Sequence, residues 1–174
     1  MGISNAIPAV RRVLIVCPAF LKPNWVKEWR KWDVKKLSVG IVEGTKAEFP
    51  NTDVVVINYD ILQHYRVPLR REEWHLLIVD EIHKLATKKA QRTREVFGGL
   101  KRNADKEIID RVSPIPARRK VYMTGTPSMN GKPKELWPLL QSVDPEDIGR
   151  DWFTFAKRYC QLQEITRFNV FTGQ

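Results

Sequence analysis

Short apolar, β-branched runs alternate along the chain with longer amphipathic segments. The runs are VLIV at 13–16, LSVGIV at 37–42, DVVVIN at 53–58, HLLIVD at 75–80 and KVYMT at 120–124. Each has the length of a buried strand. Their near-continuous apolar character marks strands covered on both faces, as in a parallel sheet with helical crossovers. The pattern therefore predicts an α/β fold with a mostly parallel sheet sandwiched by helices. Between the first two runs, PNWVKEWRKW spaces Trp25, Trp29 and Trp32 along one helical face, with Asn24 as the cap. Indoles so placed pack a helix onto a sheet or stack on bases, and the spacing favours packing. KKAQRTREVFGGLKR (88–102) reads as a basic helix stopped at Gly98-Gly99, and NADKEIIDRVSPIPARR (103–119) as an exposed connector. Pro133 opens PKELWPLLQ (133–141) as a helix, and DWFTFAKRYCQLQEI (151–165) carries an aromatic helical pattern.

At 174 residues the chain has the length of one ordinary domain, able to bury a core without disulfides or metal staples. No apolar run approaches the roughly 18 residues that span a bilayer, so no membrane role is expected. MGISNAIPAVRR lacks the basic region, apolar core and cleavage site of a signal peptide. Cys17 and Cys160 lie far apart without metal-ligand spacing, which suits a reducing compartment. The expected location is the cytoplasm for a bacterial or viral protein and the nucleus for a eukaryotic one. The net charge of +10 is unevenly spread. Residues 1–36 carry 8 basic and 2 acidic side chains, 37–83 carry 4 and 8, 84–120 carry 12 and 4, and 121–174 carry 6 and 6. Two basic blocks flanking an acidic middle fit a nucleic-acid backbone contact beside a carboxylate site, or a solvated lysine-rich surface.

The acidic middle ends in LLIVDEIHKLATKK, 76–89. A buried parallel strand ending in Asp80-Glu81 sits where open α/β sheets bind ligands. In nucleotide hydrolases such a pair divides the work: the Asp holds Mg²⁺ through its water shell and the Glu orients the attacking water. Strand-end acids that merely cap the next helix are the alternative, and His83 weighs against it by completing a DExH pattern. The next strand runs into Thr124-Gly125-Thr126-Pro127, two hydroxyls flanking a glycine that allows a tight turn. Alone this is a turn; following DEIH at the next strand end, it is far more diagnostic.

VLIVCPAFLKPNWVKEWRKW, VVVINYD, LLIVDEIHKL and VYMTGTPSMNGKPKELWPLLQ follow, in order and spacing, the blocks of the first RecA-like lobe of superfamily 2 helicases. The spacing from Pro18 to Trp25 and the Asn-Tyr-Asp block resemble the sucrose-non-fermenting (Snf) family of double-stranded DNA translocases. WFTFAKRYC is similar to the annealing-helicase branch and its bacterial and viral relatives. The resemblance implies residues 1–174 as a single partial RecA-like lobe of the P-loop NTPase class. About 10–160 are matched, and 161–174 form a tail toward a missing second lobe. It implies ATP and Mg²⁺ as cofactors and double-stranded or branched DNA as partner. Carried over by position, it assigns Asp80 to Mg²⁺, Glu81 to water activation, and His83, Thr124, Gly125 and Thr126 to coupling. Pro18, Ala19 and Lys22 fall in the block that contacts the tracked strand, and Asn58 and Tyr59 in a second DNA-facing block. Lys88, Lys89 and Arg92 either contact phosphate or form a solvated helix face.

The family's phosphate loop, Gly-x-x-x-x-Gly-Lys-Thr/Ser, is absent from the sequence. GTPSMNGKP (125–133) imitates it around Gly131-Lys132, but has five residues between the glycines and Pro133 in place of the Mg²⁺-binding hydroxyl. The arginine finger of the second lobe, worth roughly 10³ to 10⁵ in rate, is missing too. The expectation is the first motor lobe of an ATP-dependent DNA translocase or helicase, catalytically inactive as this chain alone. A non-catalytic DNA-binding or protein-interaction module, and a restriction-type translocase or RNA helicase lobe, stay open.

Overall fold

The computed structural model describes residues 1–85, 90–126 and 132–160. A short helix α1 (Gly2–Ala6) leads into strand β1 (Val13–Cys17), and a 3₁₀ turn (Ala19–Leu21) into helix α2 (Lys22–Trp32). Strands β2 (Val39–Ile41) and β3 (Val54–Asn58) follow, then a 3₁₀ segment (Tyr59–Tyr65), helix α3 (Arg66–Arg70), strand β4 (Leu76–Asp80) and a 3₁₀ turn (Ile82–Leu85). Helix α4 (Gln91–Phe97), strands β5 (Gly99–Arg102), β6 (Ile108–Val112) and β7 (Lys120–Met123), and helices α5 (Trp137–Val143) and α6 (Trp152–Tyr159) complete the order.

The five apolar runs become one five-stranded sheet, ordered β2-β3-β1-β4-β7, in which all pairings are parallel. The alternation within each run divides the core. Val13, Ile15, Val54, Val56, Leu76 and Ile78 face α2, which contributes Val26 and the fully buried Trp29. Leu14, Val16, Val55, Ile57, Leu77 and Val79 face the other layer, built from the 3₁₀ segment, α3, α4 and α5. Both faces are covered, which is why the runs read as continuous hydrophobic stretches.

Several local expectations are corrected. Helix α2 starts at Lys22, so Asn24 lies inside it and caps nothing; Pro23, with its φ already helical, sits in the first turn instead. The three indoles do not share one environment: Trp29 is buried, Trp25 half-buried, and Trp32 exposed with its N–H on Glu28. The basic helix is shorter than expected. It ends at Gly98, whose positive φ and close approach to Pro114 exclude a side chain. Beyond it, β5 and β6 pair as an antiparallel hairpin where the sequence suggested a connector. Pro133 opens a 3₁₀ turn (Pro133–Leu136) that precedes α5.

Candidate functional site at the carboxyl edge of the sheet

Since the strands are parallel, their carboxyl ends collect along one edge, the ligand-binding edge of open α/β sheets. Register pairs Cys17 with Asn58 and Asp80 with Met123, while Val16 pairs with Val79. Asn58, Cys17, Asp80 and Met123 thus form one row, and Tyr59, Pro18, Glu81 and Thr124 leave the sheet just beyond it. The Asp80 carboxylate is gripped at both oxygens. Oδ1 accepts the Glu81 backbone N–H at 2.9 Å, and Oδ2 accepts the indole N–H of Trp25 at 2.9 Å. The Asp80 carbonyl accepts the Tyr59 hydroxyl. Each carboxylate oxygen retains acceptor capacity beyond these bonds.

The chain reverses at Glu81 with φ 54°, the left-handed region that an L-residue enters at a cost of roughly 1–2 kcal/mol. Past this turn His83 comes back to both neighbours: its Nδ1 lies 3.1 Å from Glu81 Oε2 and 3.0 Å from Thr124 Oγ1. Both oxygens lie within reach of an Nδ1–H, and the carboxylate is the stronger acceptor. Thr124 Oγ1 in turn accepts the Thr126 N–H at 3.1 Å. Glu81, His83, Thr124 and Thr126 therefore form one chain of contacts from the end of β4 to the end of β7. Gly125, by contrast, is not held in a conformation reserved for glycine, and a Cβ there would meet nothing within 4 Å. The turn does not require it.

Residues expected to face nucleic acid divide differently. Ala19 is exposed, beside Phe20 at 78% exposure, while Pro18 is buried. Lys22 is turned inward: only 9% exposed, it donates from Nζ to the Val42 carbonyl at 2.8 Å. Asn58 and Tyr59 are buried as well, Asn58 donating to Asp60 and Tyr59 to Asp80. Arg92 is exposed on α4, where it joins Tyr59, Asp60, Gln63, Gln91 and Glu95 around an open cavity of ≈ 280 Å³. Lys88, Lys89 and Pro127 lie outside the described residues. Trp25, read from its spacing as a packing residue, turns out to touch the key carboxylate. A half-buried indole N–H needs an acceptor, but nothing in the sequence marks which residue supplies it.

Burial pushes the Cys17 thiol up to about 12, with Asp80 adding to the rise and Lys22 opposing it. Burial, reinforced by Asp80, raises the Tyr59 hydroxyl too. Both groups stay protonated at neutral pH, so neither is a nucleophile. Among the described residues no three His, Cys, Asp or Glu side chains converge as a metal cage. One or two carboxylates at an open edge suit Mg²⁺, which keeps much of its water shell and takes the rest of its ligands from phosphates.

Residues 3–166 match the SNF2-related domain. The mouse DNA annealing helicase and endonuclease ZRANB3 is 27% identical over 92% of this chain and 15% of its own length. The chicken DNA repair and recombination protein RAD54B is 28% identical over 91% of this chain and 16% of its own. The chain thus spans about a seventh of these curated relatives. Among solved structures, the Sulfolobus solfataricus SWI2/SNF2 ATPase core in complex with dsDNA superposes with a TM-score of 0.68. Identity to it is 18%, over 92% of this chain and 30% of that one, a likeness of fold.

Proposed function

The chain belongs to the SNF2-related domain family, and from that premise we propose that it forms part of the first motor lobe of an ATP-dependent translocase acting on duplex or branched DNA. The observation that carries this reading is the contact chain Glu81–His83–Thr124, which joins two neighbouring strand ends beside the doubly held carboxylate of Asp80. In this reading Asp80 holds Mg²⁺ through water and Glu81 accepts a proton from the attacking water. Mg²⁺, when bound, neutralises charge developing on the nucleotide phosphates. His83 bridges the proton acceptor to the end of β7, so a shift at Glu81 reaches Thr124, and through it Thr126, by way of His83 alone. The exposed Ala19 and Arg92 offer contacts to DNA, while Lys22, Asn58 and Tyr59 support the site from inside.

The 174 residues contain no Gly-x-x-x-x-Gly-Lys-Thr/Ser. Such a loop cradles the β- and γ-phosphates with its backbone N–H groups and lysine. With no such loop among them, residues 1–174 supply half of a nucleotide site, and in this reading they hydrolyse no ATP above background by themselves. The test is ATP turnover with saturating duplex DNA, comparing the chain with Glu81→Gln. The expected result is two equal background rates. A DNA-stimulated rate abolished by Glu81→Gln would overturn the inactivity and place the family's chemistry in this chain itself.

A further inference from the structure

Helix α2 is fixed to the sheet by Trp29, fully buried, and Val26, 8% exposed, against Val13, Ile15 and Cys17. One turn before Trp29, the same helix carries Trp25 to the carboxyl edge, where the indole N–H meets Asp80 Oδ2 at 2.9 Å across 55 residues of sequence. The other carboxylate oxygen is held by the Glu81 N–H at 2.9 Å. Two donors, one per oxygen and from two different elements, set the plane of the carboxylate. Rotating it breaks at least one bond.

We propose that Trp25 is a positioning residue for the Asp80 carboxylate, orienting it for the water shell of Mg²⁺; this rests on the reading of Asp80 as the Mg²⁺ carboxylate. The chemistry of the indole suits the task. It is a donor without an acceptor lone pair or a charge, and it does not titrate. A lysine or arginine in its place would neutralise the carboxylate and compete with the cation, and a histidine would offer itself as a ligand. The indole leaves the full negative charge available. For packing alone a phenylalanine would serve. Groups that orient a metal-bearing side chain typically matter by about 10- to 100-fold in metal affinity, and a single neutral donor acting through water belongs at the lower end.

The chain, labelled with ¹⁵N at its six tryptophans, gives indole N–H resonances; that of Trp25 is assigned as the one absent in Trp25→Phe. In Asp80→Asn it shifts more than the other five, because its acceptor loses its charge. An unmoved Trp25 indole overturns the proposal, and this comparison decides alone, with conventional assignment, should Trp25→Phe not fold. Mg²⁺ is then titrated into uniformly ¹⁵N-labelled wild type and Trp25→Phe, read at the Glu81 amide. The expected result is about tenfold weaker binding in the variant. Equal affinity overturns the positioning role and leaves the Mg²⁺ reading intact. If Mg²⁺ moves no resonance of the wild type, the Mg²⁺ reading itself falls and the proposal with it.

Discussion

At the scale of single residues, Glu81 and His75 show strain and charge set by neighbours. Glu81 holds a left-handed backbone, so Glu81→Gly and Glu81→Ala, which delete the same carboxylate, differ in stability. Glycine is favoured by about 1 kcal/mol, measurable by urea unfolding of the two variants. His75 Nδ1 accepts the backbone N–H groups of Arg11 and Arg12, each at 3.1 Å. That bonding needs an unprotonated Nδ1. Burial, helped by Arg118 and Arg12, lowers the pKa of His75 below its ordinary 6.5. Below 6.5 the unfolded chain therefore binds more protons than the folded one, and stability rises with pH. The contribution is complete above about pH 6.5 and is lost as pH falls through the lower folded value. Denaturation between pH 7.5 and 5 should show this loss, and His75→Gln should flatten it. The DExH and TGTP residues were legible because apolar runs define where strands end. The inward turn of Lys22 and the grip of Trp25 on Asp80 were not. A charge pattern carries no direction, and the Val42 carbonyl that receives Lys22 leaves no mark in the sequence.

At the scale of elements, one buried carboxylate ties α3, α4 and the hairpin together. Glu95 on α4, 1% exposed, receives Arg66 at 2.5 Å, and Arg66 also reaches Asp110 of β6 at 2.8 Å. Arg70 adds a bond to the Glu95 carbonyl at 2.5 Å and another to the Ser113 carbonyl at 2.8 Å. Removing Arg66 leaves a buried charge poorly compensated, so Arg66→Ala is expected to cost roughly 3 kcal/mol. Asp110 is more exposed than Glu95, and Asp110→Ala should cost much less than Arg66→Ala. Parallel denaturation of the two variants checks the order. All five strands of the main sheet were readable from their hydrophobicity. The hairpin was hidden for two reasons. Leu100, Ile108 and Ile109 are exposed, so no alternation marks a buried face, and Lys106 rather than glycine takes the left-handed turn position. The 3₁₀ segment after β3 and helix α3 were equally silent, being short and interrupted by Pro68.

At the scale of the whole molecule, the sheet places carboxylates at one edge while the chain as a whole carries +10. No helix among the described residues is long and apolar enough to cross a membrane. The net charge supports a polyanionic partner, and the proposed motor-lobe reading takes that partner to be DNA. Each phosphate neutralised by Lys or Arg releases condensed counterions, so affinity should fall linearly with salt on logarithmic axes. The inward turn of Lys22 removes one phosphate contact expected from the sequence, leaving surface side chains such as Arg92 to supply the attraction. The most direct test of the motor-lobe reading is the affinity of the 174-residue chain for a labelled DNA duplex as salt is raised. The account predicts weak binding with a logarithmic slope of about −3 or steeper, the signature of at least three neutralised phosphates. Binding that is absent at low salt, or insensitive to salt, would contradict it.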